Sequence, residues 1–107
     1  MHRHGQVIQV RPERLAEYRA YHAAAWPGVL EMIRLCNIRN YSIYHKDGVL
    51  FAYFEYLGED FGADMAKMAA DPQTREWWSI MEPMQEPLET RAKGEWWAEM
   101  EEVFHTD

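Results

Sequence analysis

Tyr18, His22 and Trp26 stand four residues apart in the stretch "EYRAYHAAAWP". On a helix that spacing puts side chains on one face. An imidazole titrates near neutral pH, so His22 on such a face can give or take a proton there. A phenol one turn earlier can hold that imidazole or bind a hydroxyl-bearing ligand. The alternative use of the face is structural, with His22 packed and bonded to a backbone carbonyl. Trp77 and Trp78, in "REWWSIMEP", are the second feature. Neighbours on a helix point about 100° apart, so one indole can pack in the core while the other reaches a cleft. An indole face suits the apolar face of a sugar ring, and its N–H can meet a hydroxyl; packing in the core and at a partner interface is the competing use. Tyr41 and Tyr44, in "NYSIY", fall on opposite faces of a strand. One should face the helices and the other the outer surface; Tyr41 shares its face with Ile43.

Other chemistries lack their residues. His2 and His4 form an HxH pair at what reads as a mobile terminus, His45 sits beside a turn, and His105 lies near the end of the sequence. No spacing matches a structural zinc site, and the single Cys36 offers no thiolate pair. There is no glycine-rich phosphate loop and no nucleophile elbow. The 18 acidic residues read as solvated faces, and nothing singles out a glycosidase-type carboxylate pair. The expectation is a site with no metal and no cofactor.

Charge narrows the partners. The net charge is −7 and the basic residues are scattered, which argues against a nucleic-acid binder and against anionic membrane surfaces. A lone cysteine fits a reducing compartment. "MHRHGQVIQV" lacks the apolar core of a signal peptide, and no later run is long enough to span a bilayer. The expected location is the cytoplasm.

These side chains need a scaffold. One domain over residues 1–107 is the natural division of so short a chain. "GQVIQVRP" suits a strand ended by Pro12, which then sits well in the first turn of a helix. From Glu13 to Cys36 apolar residues fall at helical spacing, with Pro27 and Gly28 predicting a kink or two abutting helices. "NIRNYSIYHKDGVLFAYFEYLG" reads as a hairpin turning at Asp-Gly. "EDFGADMAKMAA" follows as a helix with Phe61, Met65 and Met68 on one side. "DPQTREWWSIMEPM" restarts a helix behind an Asp71 cap and Pro72. "QEPLETRAKGE" reads as a loop and "WWAEMEEVFH" as a last strand.

The order is therefore βαββαβ, the split βαβ arrangement of ferredoxin-like α+β folds, an antiparallel sheet with helices on one face. The other face needs a cover, and no third layer is visible. A homodimer is expected.

Taken in order, "EYRAYHAAAWP", "NYSIY", "REWW" with "MEP", and the terminal "MEEVFH" resemble the L-rhamnose mutarotase family along nearly the whole chain. The resemblance implies a dimeric ferredoxin-like α/β barrel and a cofactor-free epimerase acting on the anomeric carbon of a monosaccharide. The family's catalytic proton donor falls on His22, and its sugar-contacting residues on Tyr18, Tyr41, Trp77 and Trp78. The "PL…G" stretch before the last strand is also comparable with the related L-fucose mutarotase branch. L-fucose is thus the alternative sugar to L-rhamnose.

Anomer exchange requires opening the hemiacetal ring, rotation about C1–C2, and reclosure. His22 would protonate the ring oxygen while a second group or water takes the anomeric proton. Two competing functions stay open from the residues alone. One is a cofactor-free or haem-handling oxygenase on the same fold, with His22 as base or axial ligand. The other is a non-catalytic dimeric binding module.

Overall fold

The computed structural model describes residues 1–107. Strand β1 (His2–Val10) leads through a single 3₁₀ turn (Pro12–Arg14) into helices α1 (Leu15–Ala23) and α2 (Pro27–Leu35). Strands β2 (Ile38–Lys46) and β3 (Val49–Tyr56) follow. Then come helices α3 (Phe61–Ala70) and α4 (Pro72–Met81), a 3₁₀ turn (Glu82–Met84), and the short strands β4 (Gln85–Glu86) and β5 (Ala98–Met100). The sheet is antiparallel in the order β2-β3-β1, and β4 and β5 share the far edge of β1.

Local chemistry accounts for most boundaries. Trp26 is the N-cap of α2 with Pro27 at its first position, so the proline separates two helices. Asp60 caps α3 by accepting from the Ala63 amide at 3.0 Å. Asp71 caps α4 by accepting from the Thr74 amide at 2.9 Å. Asp47 and Gly48 turn the β2–β3 hairpin with φ of 51° and 80°, the left-handed pair that a two-residue loop needs.

Helices cover one face of the sheet. Ile8 and Val10 from β1 and Leu50 from β3 pack with Tyr18, Val29, Trp77, Met81 and Met84. A smaller cluster joins Cys36, Ile38, Phe54 and Met68, with Phe61 and Met65 of α3 against it, as the helix pattern predicts. The opposite face leaves Tyr44 66%, Phe51 40% and Met100 40% exposed.

The structure corrects four expectations. His2 and His4 are not a mobile terminus. They belong to β1, and His4 is stacked between Phe54 and Phe61 at centroid distances of 4.8 and 4.6 Å. Residues 85–86 are not loop but pair with Gln9 and Val10. That pairing explains the third correction. β4 already occupies Gln9 and Val10 of β1, where Trp96 would pair, and the last strand begins only at Ala98, opposite Val7. It also ends early, at Met100 opposite Gly5, which leaves Val103 and Phe104 outside the ladder. Val103 and Phe104 are accordingly 85% and 79% exposed. Fourth, Trp26 does not continue the helical face of Tyr18 and His22, since α1 ends at Ala23.

Candidate active site

His22 lies in the last turn of α1, half-buried, and its Nδ1 is 2.8 Å from the Tyr18 carbonyl oxygen. A carbonyl can only accept, so in the neutral ring Nδ1 carries the proton and Nε2 is the free basic atom. The Tyr18 ring stacks on the imidazole at 4.3 Å and 28°. Trp77 meets it edge-on at 5.3 Å and 72°. Burial among these rings pushes the His22 pKa below its ordinary value, and the carbonyl bond opposes that only in part. The neutral imidazole is therefore the resting form near pH 7.

Tyr18 is 4% exposed. Its oxygen accepts a hydrogen bond from Gln85 Nε2 at 3.0 Å, and Gln85 Oε1 in turn accepts from the Trp96 indole N–H at 2.8 Å. Burial raises the Tyr18 pKa, while the Gln85 bond pulls the other way. Tyr41 reaches the same region from β2. Its phenol is pushed up to about 12, chiefly by desolvation and secondly by Tyr18. The Tyr41 residue as a whole is 39% exposed.

A β-bulge aims Tyr41. Ile38 and Tyr41 are three residues apart and would face opposite ways in a regular strand. Between Arg39 and Ser42 the ladder shifts register, with Asn40 at φ 50° as the inserted residue. The shift keeps both Ile38 and Tyr41 on the helix side, where Tyr41 packs on Phe54 at 5.5 Å. Tyr44, paired with Phe51, points to the outer face.

The cleft beside Tyr18 and His22 measures about 390 Å³, within the ordinary range for small-ligand sites, and neither Tyr41 nor Trp77 is among its lining residues. Leu15, Ile43 and Leu50 supply apolar wall, Tyr18, Arg19, His22 and His45 the polar groups, and Tyr44 borders it from the edge strand β2. A second cleft of about 380 Å³ lies by His2, His4 and Tyr56. There the His4 ring is held between two phenylalanines. The two clefts are of similar size; the His22 cleft is the stronger candidate because its imidazole is fixed by the Tyr18 carbonyl with a phenol stacked on it, leaving Nε2 free.

Of the residues singled out in the sequence, Tyr18, His22 and Trp77 meet directly and Tyr41 comes from across the sheet. Trp26 rejoins them through its edge contact with Trp77 at 5.2 Å. Trp78 instead packs against both apolar clusters, away from the imidazole contacts. Gln85 and Trp96 carry no motif. Only the hydrogen-bond chain to Tyr18 reveals them.

Residues 3–106 match the family model of L-rhamnose mutarotase. The chain belongs to the L-rhamnose mutarotase family. It is 31% identical to an L-rhamnose mutarotase of Lactiplantibacillus plantarum over 109 aligned positions, covering 100% of both chains. It is 32% identical to one of Mannheimia succiniciproducens with the same coverage. Among solved structures, an L-rhamnose mutarotase of Formosa agariphila superposes with a TM-score of 0.77 at 18% identity over 100% of both chains. Tetracenomycin F2 cyclase from Streptomyces glaucescens superposes with a TM-score of 0.71 at 13% identity over the full length of both. At such identities these two likenesses establish the ferredoxin-like architecture, which hosts more than one chemistry. The family match favours neither the L-fucose branch nor an oxygenase.

Proposed function

We propose that the chain interconverts the α and β anomers of L-rhamnose by acid–base opening and closing of the pyranose ring, with His22 as the catalytic residue. The family supplies the reaction class, an anomer-exchanging isomerase. The observation that carries the mechanism is the commitment of His22 Nδ1 to the Tyr18 carbonyl, which leaves Nε2 free beside a cleft.

The anomeric hydroxyl and the ring oxygen are bonded to the same carbon, so one nitrogen can reach both. Resting neutral, Nε2 accepts the proton of the anomeric hydroxyl. The carbonyl forms as the C1–O5 bond breaks, and the same proton passes to the ring oxygen. Rotation about C1–C2 presents the other carbonyl face, and the reverse transfers close the ring. His22 thus still protonates the ring oxygen, as the sequence suggests, but draws that proton from the sugar rather than leaving the anomeric proton to a second group. Protons balance with no external acid. A positioned acid–base group typically contributes about 10²–10⁴-fold. Tyr18 and Tyr41 bind hydroxyls. Trp77 backs the imidazole and the cleft, and Trp78 holds α4 against the sheet.

The outer sheet face, with Tyr44, Phe51 and Met100, is the surface for a second copy, so the working form is a homodimer of the barrel type. No helix is long and apolar enough to cross a membrane, and the cytoplasm is the expected site of action.

Saturation-transfer NMR of anomer exchange tests the function across L-rhamnose, L-fucose, L-lyxose and D-glucose. Faster exchange is expected for L-rhamnose. No enhancement for any sugar would end the mutarotase assignment.

A further inference from the structure

Gln85 is 4% exposed, among the most deeply buried polar side chains, and both ends of its amide are occupied. An indole N–H is only a donor, so the atom 2.8 Å from Trp96 must be the amide oxygen. The amide nitrogen is thereby turned toward Tyr18, and donates to the phenol oxygen at 3.0 Å. A phenol whose oxygen accepts along that line must send its own hydrogen elsewhere. Backbone pairing holds the relay in place, since Gln85 sits opposite Val10 in the ladder and the Arg11 amide donates to the Met84 carbonyl at 2.9 Å.

We propose that Gln85, oriented by Trp96, is a positioning residue that makes the Tyr18 phenol a hydrogen-bond donor toward the sugar. The inference rests on the mutarotase reading for the identity of that acceptor. Donation runs one way, from Trp96 Nε1–H to Gln85 Oε1, from Gln85 Nε2–H to the Tyr18 oxygen, and from Tyr18 O–H to a sugar oxygen. The relay ties the loop between β4 and β5 to the site, and gives Trp96 a task that its place outside the ladder leaves unexplained.

The discriminating substitution is Gln85→Glu, which keeps the shape and reverses the direction. A carboxylate accepts from Trp96 and from Tyr18 alike, so the phenol turns its hydrogen inward and offers the sugar only an acceptor. The expected result is a KM for L-rhamnose raised roughly tenfold and a smaller change in kcat, in a protein whose melting temperature falls because a carboxylate is buried. In a Tyr18→Phe background the same substitution should change KM less than twofold, because residues acting through one hydroxyl are not additive. Equal effects in both backgrounds, or an unchanged KM in folded Gln85→Glu, would overturn the proposal. If Gln85→Glu does not fold, Trp96→Phe takes its place. It frees the amide to rotate and should raise KM about threefold, and a wild-type KM would refute the relay. Activity-independent evidence comes from the alkaline spectrophotometric titration of Tyr18, taken as the difference from Tyr18→Phe. The titration should move up in Gln85→Glu, and an unmoved curve counts against the relay. A wild-type protein inactive on every sugar removes the mutarotase function, and that outcome is separate from any outcome of this titration.

Discussion

Replacing His22 by Ala separates a catalytic imidazole from a packed one. The side chain makes one hydrogen bond, to the Tyr18 carbonyl, and two ring contacts, with Tyr18 and Trp77. Each aromatic contact is worth about 0.5–1.5 kcal/mol and the hydrogen bond a net ~1 kcal/mol. Alanine returns about 0.5 kcal/mol through helix propensity, and a half-buried ring leaves a gap that water can enter. The net loss is about 1.5–3.5 kcal/mol. Unfolding entropy of about 2.1 cal/mol/K per residue gives about 0.22 kcal/mol/K for 107 residues. The melting temperature should therefore fall by about 7–16 °C. The anomer-exchange rate should fall at least about 100-fold. Both are measured on one sample, by calorimetry and by saturation-transfer NMR on L-rhamnose. A well-folded His22→Ala protein with wild-type exchange would refute the role of the imidazole. A large stability loss with unchanged activity per folded molecule would show that the residue is structural.

The pH profile follows from the lowered His22 pKa. If the neutral ring starts the reaction, kcat/KM should be flat around neutrality and fall as the pH drops through a value below the ordinary 6.5; a rate that rises on acidification would contradict this. The same group binds its proton less readily folded than unfolded, so stability should be lost as pH falls from about 6.5 through the folded pKa, a decline absent from His22→Ala in denaturant melts. Trp77→Ala should cost about 3–5 kcal/mol, because the indole is 7% exposed and packs on Tyr21, His22 and Trp26; a fall of under ~1 kcal/mol in urea unfolding would show that the cluster repacks. Asn40→Val should cost about 1–2 kcal/mol, since a β-branched residue is forced to φ 50°, whereas Asn40→Gly should be near neutral; equal melts for the two would remove the bulge argument. Sedimentation should give a dimeric mass for the wild type and a monomer for Phe51→Glu on the outer sheet face, and a wild-type monomer at micromolar concentration would refute the assembly.

Features set by neighbours in the chain could be read without a structure. The hairpin turn depends only on Asp47 and Gly48 tolerating left-handed backbone, the start of α4 only on the Asp71 cap and Pro72, and the split between α1 and α2 only on Pro27 lacking a donor. The order of elements follows from these signals, and with it the ferredoxin-like sheet. His22, Tyr18, Tyr41 and Trp77 were recognisable as an ordered set along the chain.

What the tertiary structure decided depends on partners distant in sequence. His2 and His4 are ordered because β1 finds β3, some fifty residues on, and because Phe54 and Phe61 close on the imidazole. Where the last strand starts depends on how much of the β1 edge β4 leaves free. Tyr41 faces the helices because one inserted residue, Asn40, changes the phase of β2 against β3, and alternation within β2 alone does not reveal an insertion that exists only relative to its neighbour. Gln85 has no local signature at all. Its role comes from a hydrogen-bond direction set by Trp96 and received by Tyr18, 67 positions earlier in the chain, and an amide has an orientation only once folding has placed a donor on one side of it and an acceptor on the other.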